Sequence, residues 1–135
     1  MMPMNDARFS LIAGALLGLT GVIAGAMGAH SLENRLTESL LSAYETATRF
    51  QMFHALLLVL LGILARSQQG GLLRYAIVAT LLGTLLFSGS IYLLTLTPLK
   101  PGLLTPLGGL FLIGGWACLL IWAWKKAPRL PTSNS

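Results

Sequence analysis

The sequence predicts an all-α integral membrane protein, a bundle of four transmembrane helices with an amphipathic segment between the first and second. Three observations predict it. Hydrophobic residues make up 55% of the 135-residue chain and charged residues only 10%, with a mean hydropathy of +0.76, whereas a soluble domain carries about 25% charged residues. The apolar residues gather into long runs bounded by basic side chains. The one long polar stretch, residues 31–49, lies between the first two runs. The length fits one domain, placed at 1–127, with 128–135 as a flexible tail rich in Pro, Ser and Thr.

Each element follows from its residues. The first run, 9–29, carries no charge and at 1.5 Å per residue spans about 31 Å, the thickness of the hydrocarbon core. Arg8 and Ala24-Gly25-Ala26 imitate a secretory signal, but the apolar run is longer than a signal core, so it reads as a retained span. In the polar stretch, Leu32, Leu36, Leu40, Tyr44 and Ala47 recur at helical spacing, with Glu33, Glu38, Glu45 and Arg49 elsewhere around the wheel. Ser42-Ala43-Tyr44-Glu45 fits a capping box, which places a helix start near Ser42 and an amphipathic piece on the outer surface. The second span, 50–66, must borrow Phe50 to His54 to reach across, because 55–65 alone is too short. The third runs over 75–96 between Arg74 and Lys100, and the fourth over 103–124, stopped by Lys125 and Lys126. Backbone amides cannot go unpaired in lipid, so each run is expected to be helical.

Nine basic against four acidic residues give a net charge of +5. The basic residues flank the apolar runs, which fits juxtamembrane placement and excludes nucleic acid as a partner. Four spans put both termini and the second loop on one side. That side holds Arg8, Arg66, Arg74, Lys125, Lys126 and Arg129; the other holds Arg35, Arg49 and Lys100 among Glu33, Glu38 and Glu45. The asymmetry predicts cytoplasmic termini, with Trp122 and Trp124 as an inner interfacial anchor. Cys118, the single cysteine, excludes an intrachain disulfide and a cysteine-rich metal site.

Helices in lipid associate through small residues that let backbones approach. Gly14, Gly18, Gly21, Gly25 and Gly28 fall on one face of the first span. Ala76, Ala79, Gly83 and Ser90 in the third, and Gly108, Gly109, Gly114 and Gly115 in the fourth, offer matching surfaces. Tight packing within the chain is the favoured reading of the glycine stripe, ahead of a groove for a lipid tail or partner helix.

Polar residues inside spans are functional candidates by default. His30, Glu33, Gln51, His54, Ser88, Ser90, Tyr92 and Thr105 all fall towards the outer leaflet, where two histidines and a carboxylate could share one depth. A metal site on His30, His54 and Glu33 lacks any supporting ligand spacing. A proton-relay or small-solute site could use the same groups. The leading reading is that His30, Gln51 and His54 hydrogen-bond to neighbouring helices and lock the bundle. No nucleophile elbow, no acidic partner within a span and no phosphate-binding glycine loop is present, so no catalytic residue, metal or cofactor is expected.

Four blocks in order carry a resemblance. Gly25-Ala26-Met27-Gly28-Ala29-His30-Ser31-Leu32 resembles the "GAFGAHAL" signature of the YgdD/YwdK-like family of small bacterial inner-membrane proteins of unknown function. Phe50-Gln51-Met52-Phe53-His54-Ala55-Leu56 is similar to its "YQMxHAL" block, and Phe87-Ser88-Gly89-Ser90-Ile91-Tyr92-Leu93-Leu94 to "FSGSLYLL". Leu104-Thr105-Pro106-Leu107-Gly108-Gly109 with Gly115-Trp116 is similar to the "ITPxGG…GW" end. Met27 stands where phenylalanine is usual, and Phe50 where tyrosine is, which removes a hydroxyl donor. The resemblance implies a four-helix inner-membrane protein, names no reaction, and adds weight to the polar residues above and to Trp116.

The expected function is therefore non-enzymatic: an accessory or scaffold subunit working through membrane lipids, a homo-oligomer or a larger membrane complex. The alternative is an oligomeric transporter or channel for a proton or small solute that passes the outer polar cluster.

Overall fold

A computed structural model describes residues 5–68 and 70–126. Four helices account for nearly all of them: α1 (Asp6–His30), α2 (Glu38–Ala65), α3 (Gly71–Leu96) and α4 (Leu104–Lys125). All four are long and apolar enough to cross a membrane, and the described residues contain no strand. The expected tail, 128–135, and Arg129 lie outside the described residues.

Local chemistry sets the helix starts. The Asn5 side chain accepts from the Arg8 amide at 2.8 Å, and Asp6 in the first turn of α1 complements the helix dipole. Thr37 caps α2, accepting from the Leu40 amide at 3.2 Å. This corrects the expected start at Ser42. Tyr44 and Ala47 are fully buried, so the helix that buries them extends outward past Ser42 to the better cap. The amphipathic stretch is accordingly no separate surface piece: its second half forms the first turns of α2, and residues 31–37 make the turn. Gly70 (φ 150°) before α3 and Gly102 (φ 63°) before α4 hold backbone that other residues rarely adopt. Pro106 sits in the first turn of α4, where its missing N–H costs no helical bond.

The helices pack as two antiparallel hairpins, α1 on α2 and α3 on α4, joined through the α2–α3 face. Glycine makes both seams. A methyl group at Gly14 would come within 2.8 Å of the Ala55 carbonyl and Val59, and one at Gly28 within 2.8 Å of the Tyr44 ring. Gly21 sits against Met52, while Gly18 and Gly25 face Ala55 and Thr48 more loosely. The whole α1 stripe is therefore taken up by α2. In the second hairpin, Gly83 lies under Leu112, Gly115 against the Thr80 hydroxyl, and Gly108 against the Leu86–Phe87 backbone. Gly109 is loosely packed and Gly114 has open space around it, so the expected α4 surface is only half used.

The half of the molecule at the start of α1 and the end of α4 has an apolar core of Leu57, Leu58, Leu61, Leu73, Ala76 and Ile77, closed by Ala7 from α1 and Trp122 from α4. Trp122 is 6% exposed and Trp124 88% exposed, which corrects the expected tryptophan pair. Two residues apart on a helix point to nearly opposite sides, so only Trp124 is free to sit at the interface. Asp6, Arg66, Arg74 and Lys126 meet at this end, where Arg74 Nε pairs with Asp6 at 3.1 Å.

Candidate functional site

In the half of the molecule nearer the α1–α2 turn, the inward side of α2 changes from leucine to Tyr44, Thr48, Gln51 and His54. α1 and α3 bring Thr20, Ser88 and Tyr92 against this face. Gln51 is the centre. Its amide nitrogen donates to the Leu17 carbonyl at 2.9 Å and to Thr20 Oγ1 at 2.8 Å, and its oxygen accepts from the Tyr92 hydroxyl at 2.6 Å. One side chain thus ties α2 to both α1 and α3. The Tyr44 hydroxyl donates to the Ala24 carbonyl of α1, and Ser88 donates to the Ala47 carbonyl of α2 at 2.7 Å. The Tyr44 and Tyr92 rings pack with centroids 5.4 Å apart.

His54, one turn further along the buried side of α2, reaches towards α4. Its Nδ1 lies 2.7 Å from the Phe50 carbonyl, and its Nε2 lies 3.1 Å from Trp116 Nε1 of α4. An indole N–H can only donate, so Nε2 must accept, which leaves the imidazole proton on Nδ1 for the Phe50 carbonyl. Both ring nitrogens are satisfied in the neutral form. Phe50 packs on Phe87 at 4.5 Å, an apolar contact that needs no hydroxyl. Ser90 and Thr105 bond to each other at 2.5 Å across the α3–α4 seam.

His30 and Glu33 stand apart. Both are exposed, at the end of α1 and in the turn after it. Gly18 faces Ala55 in the antiparallel α1–α2 seam, so His54 lies about 16 Å along the bundle from His30, at 1.5 Å per residue. The two histidines therefore do not share a depth. Among the described residues no group of three or more His, Cys, Asp or Glu is placed to hold a metal ion. The sequence-predicted residues thus divide into three places: Gln51, Tyr92 and Ser88 at the α1–α2–α3 junction, His54 with Trp116 at α2–α4, and Ser90 with Thr105 at α3–α4.

Tyr44, Thr48 and Thr20 were missed as site residues. Tyr44 reads as the apolar face of an amphipathic helix, and threonine in a span reads as neutral. The available signal was spacing: Tyr44, Thr48 and Gln51 are separated by one helical turn each, on the face opposite the α1 glycines.

Chemically, the site is a set of helix ties. The hydroxyl protons of Tyr44, Ser88 and Tyr92 and both amide protons of Gln51 go to acceptors on neighbouring helices, while the Thr20 and Thr84 hydroxyls donate one turn back on their own helix. Such interhelical bonds in membranes are worth about 0.6 kcal/mol each on average.

The family described as "Protein of unknown function (DUF423)" matches residues 24–109, which hold most of these polar positions. The chain is similar to a UPF0382 membrane protein of Staphylococcus haemolyticus, 39% identical over 87% of this chain and 97% of the relative. It is also similar to one of Staphylococcus aureus, at 38% identity over 89% of this chain and 98% of the relative, and to one of Staphylococcus saprophyticus, at 41% over 85% and 96%. No solved structure matches the chain.

Proposed function

The chain belongs to the DUF423 family of membrane proteins, whose description names no reaction, and we propose that it acts without catalysis, through lateral contacts with lipid or other membrane proteins, as a small accessory or scaffold subunit. One observation carries this reading. Gln51, His54, Ser88, Ser90 and Tyr92 are engaged in ties between α1, α2, α3 and α4, while the outer faces of α1 and α4 are apolar and exposed. A molecule that uses its inward polarity to hold its own helices interacts with its surroundings through its sides.

We place it in the bacterial inner membrane with both termini in the cytoplasm. Arg8, Arg66, Arg74, Lys125 and Lys126 gather at the end that holds the termini, with Asp6 as their one acidic neighbour among the described residues, and such an excess marks the cytoplasmic side. The nearer likeness to YgdD/YwdK-like proteins is supported by its four sequence blocks, three of which supply the Gln51, Ser88–Tyr92 and Thr105–Trp116 ties.

Extraction into polymer-bounded native membrane discs tests the function. A homo-oligomer, a defined protein neighbour or an enriched lipid class is the expected result. A monomer with neither partner nor lipid enrichment overturns the reading.

A further inference from the structure

We propose that the groove between α1 and α2 at their connecting turn binds an aminophospholipid, a phosphodiester lipid carrying a primary ammonium headgroup. The groove encloses about 400 Å³. Its α1 wall is Gly25, Gly28 and Ala29, small residues that let α1 approach Tyr44 and Thr48 closely at the floor of the groove. Its α2 wall has Tyr44, Thr48 and Met52 towards α1, and along its exposed edge, from the turn inward, Glu45, Arg49, Phe53 and Leu56 at steps of about one helical turn. That order is negative, positive, apolar, apolar. An aminophospholipid standing in the bilayer presents, from the water inward, an ammonium, a phosphate and acyl chains. The two sequences of charge are complementary position by position.

Depth agrees with this pairing. About 20 helical residues cross the hydrocarbon, and counting them outward from Arg66 reaches Thr46, so Glu45 and Arg49 lie at the edge of the hydrocarbon, where headgroups lie. Phe53 and Leu56, 61% and 60% exposed, continue into the acyl region.

Glu45 and Arg49 are also free to serve a ligand. Glutamate four residues before arginine is a favourable helical ion pair. Yet both are exposed, and among the described residues the ion pair formed is Arg74–Asp6, far away at the other end. Neither Glu45 nor Arg49 has a hydrogen-bond partner among the described side chains. A phosphate accepting from the Arg49 guanidinium and an ammonium donating to the Glu45 carboxylate would satisfy both. Phosphatidylglycerol supplies the phosphate but sets a neutral glycerol against Glu45. Phosphatidylcholine supplies a cation without N–H donors.

This inference rests on the lateral-contact reading and is tested separately from it. The experiment is native mass spectrometry of the full-length protein in mild detergent, incubated with equimolar synthetic phosphatidylethanolamine, phosphatidylglycerol and phosphatidylcholine. Phosphatidylethanolamine should be retained in preference to the other two. Arg49→Gln should lose retention of all three. Glu45→Gln should lose the preference over phosphatidylglycerol while still retaining lipid. Equal retention of the three lipids by the unaltered protein overturns the proposal, and so does a preference that both substitutions leave unchanged. Because the wild-type competition decides on its own, a variant that fails to fold does not protect the idea. A protein that holds lipid or a partner without headgroup discrimination loses this site and keeps the lateral-contact reading.

Discussion

Gln51 bonds to two helices at once, and this gives its loss a distinctive cost. Gln51→Leu would remove the donors to Leu17 and Thr20 and the stronger acceptor of the Tyr92 hydroxyl, leaving that hydroxyl only Thr48 Oγ1 at 3.3 Å. Each of the three ties lost costs about 0.6 kcal/mol on average in the membrane. Gln51→Leu should therefore destabilise by roughly 2 kcal/mol in denaturant titrations in bicelles, and Tyr92→Phe in that background should recover part of the loss. Simple addition of the two single effects would show that the pair is not coupled. Thr80 is the other instructive residue. Its hydroxyl is buried without a conventional partner among the described residues, and it lies against Gly115 across the seam. Gly115→Ala should therefore be costly here, because its methyl would meet the Thr80 hydroxyl at 2.6 Å.

At the scale of elements, the seams explain why some glycines matter and others do not. Gly108 meets the Leu86–Phe87 backbone, which cannot rotate away, whereas Gly114 on the same helix has nothing within reach. Gly108→Ala should cost about 1–3 kcal/mol of stability, the usual penalty of overpacking, while Gly114→Ala should be close to neutral. Thermal melting of the two variants in the same detergent checks this, and equal melting temperatures would contradict the seam. The sequence revealed these elements unevenly. Four spans were legible because each is long and apolar. The start of α2 was not, because Ser42 and Thr37 both have capping chemistry, and the choice between them was made by the burial of Tyr44 and Ala47 against neighbouring helices. The separation of His30 from His54 was also hidden. Spacing within a helix says which face a residue is on, but the α1–α2 register that sets relative depth is fixed by which glycine meets which side chain.

For the whole molecule, α2 and α3 are the buried pair and α1 and α4 the outer pair, with less than half as much of their length buried. The charge distribution was readable from sequence because it needs only the order of spans, and the structure gathers the described cations of that side at one end. Reporter fusions at residues 1 and 135 should both report a cytoplasmic location, and a cysteine-reactive, membrane-impermeant label should reach Ser31→Cys from the opposite side. Labelling of Ser31→Cys from the cytoplasm would invert the arrangement. The polar ties, by contrast, were legible only as a group of suspects; which residue meets which became visible once the helices were side by side.

The division of the packing into two glycine-lined hairpins bears on how the polypeptide is made. The α1–α2 seam contains no residue from the second half of the chain, and the α3–α4 seam none from the first. Each hairpin carries within itself what it needs to close, so the first can zip shut during translation before the third span has left the ribosome. Assembly then reduces to one late docking event along α2 and α3, in which Gln51, Tyr92 and Ser88 act as the latch.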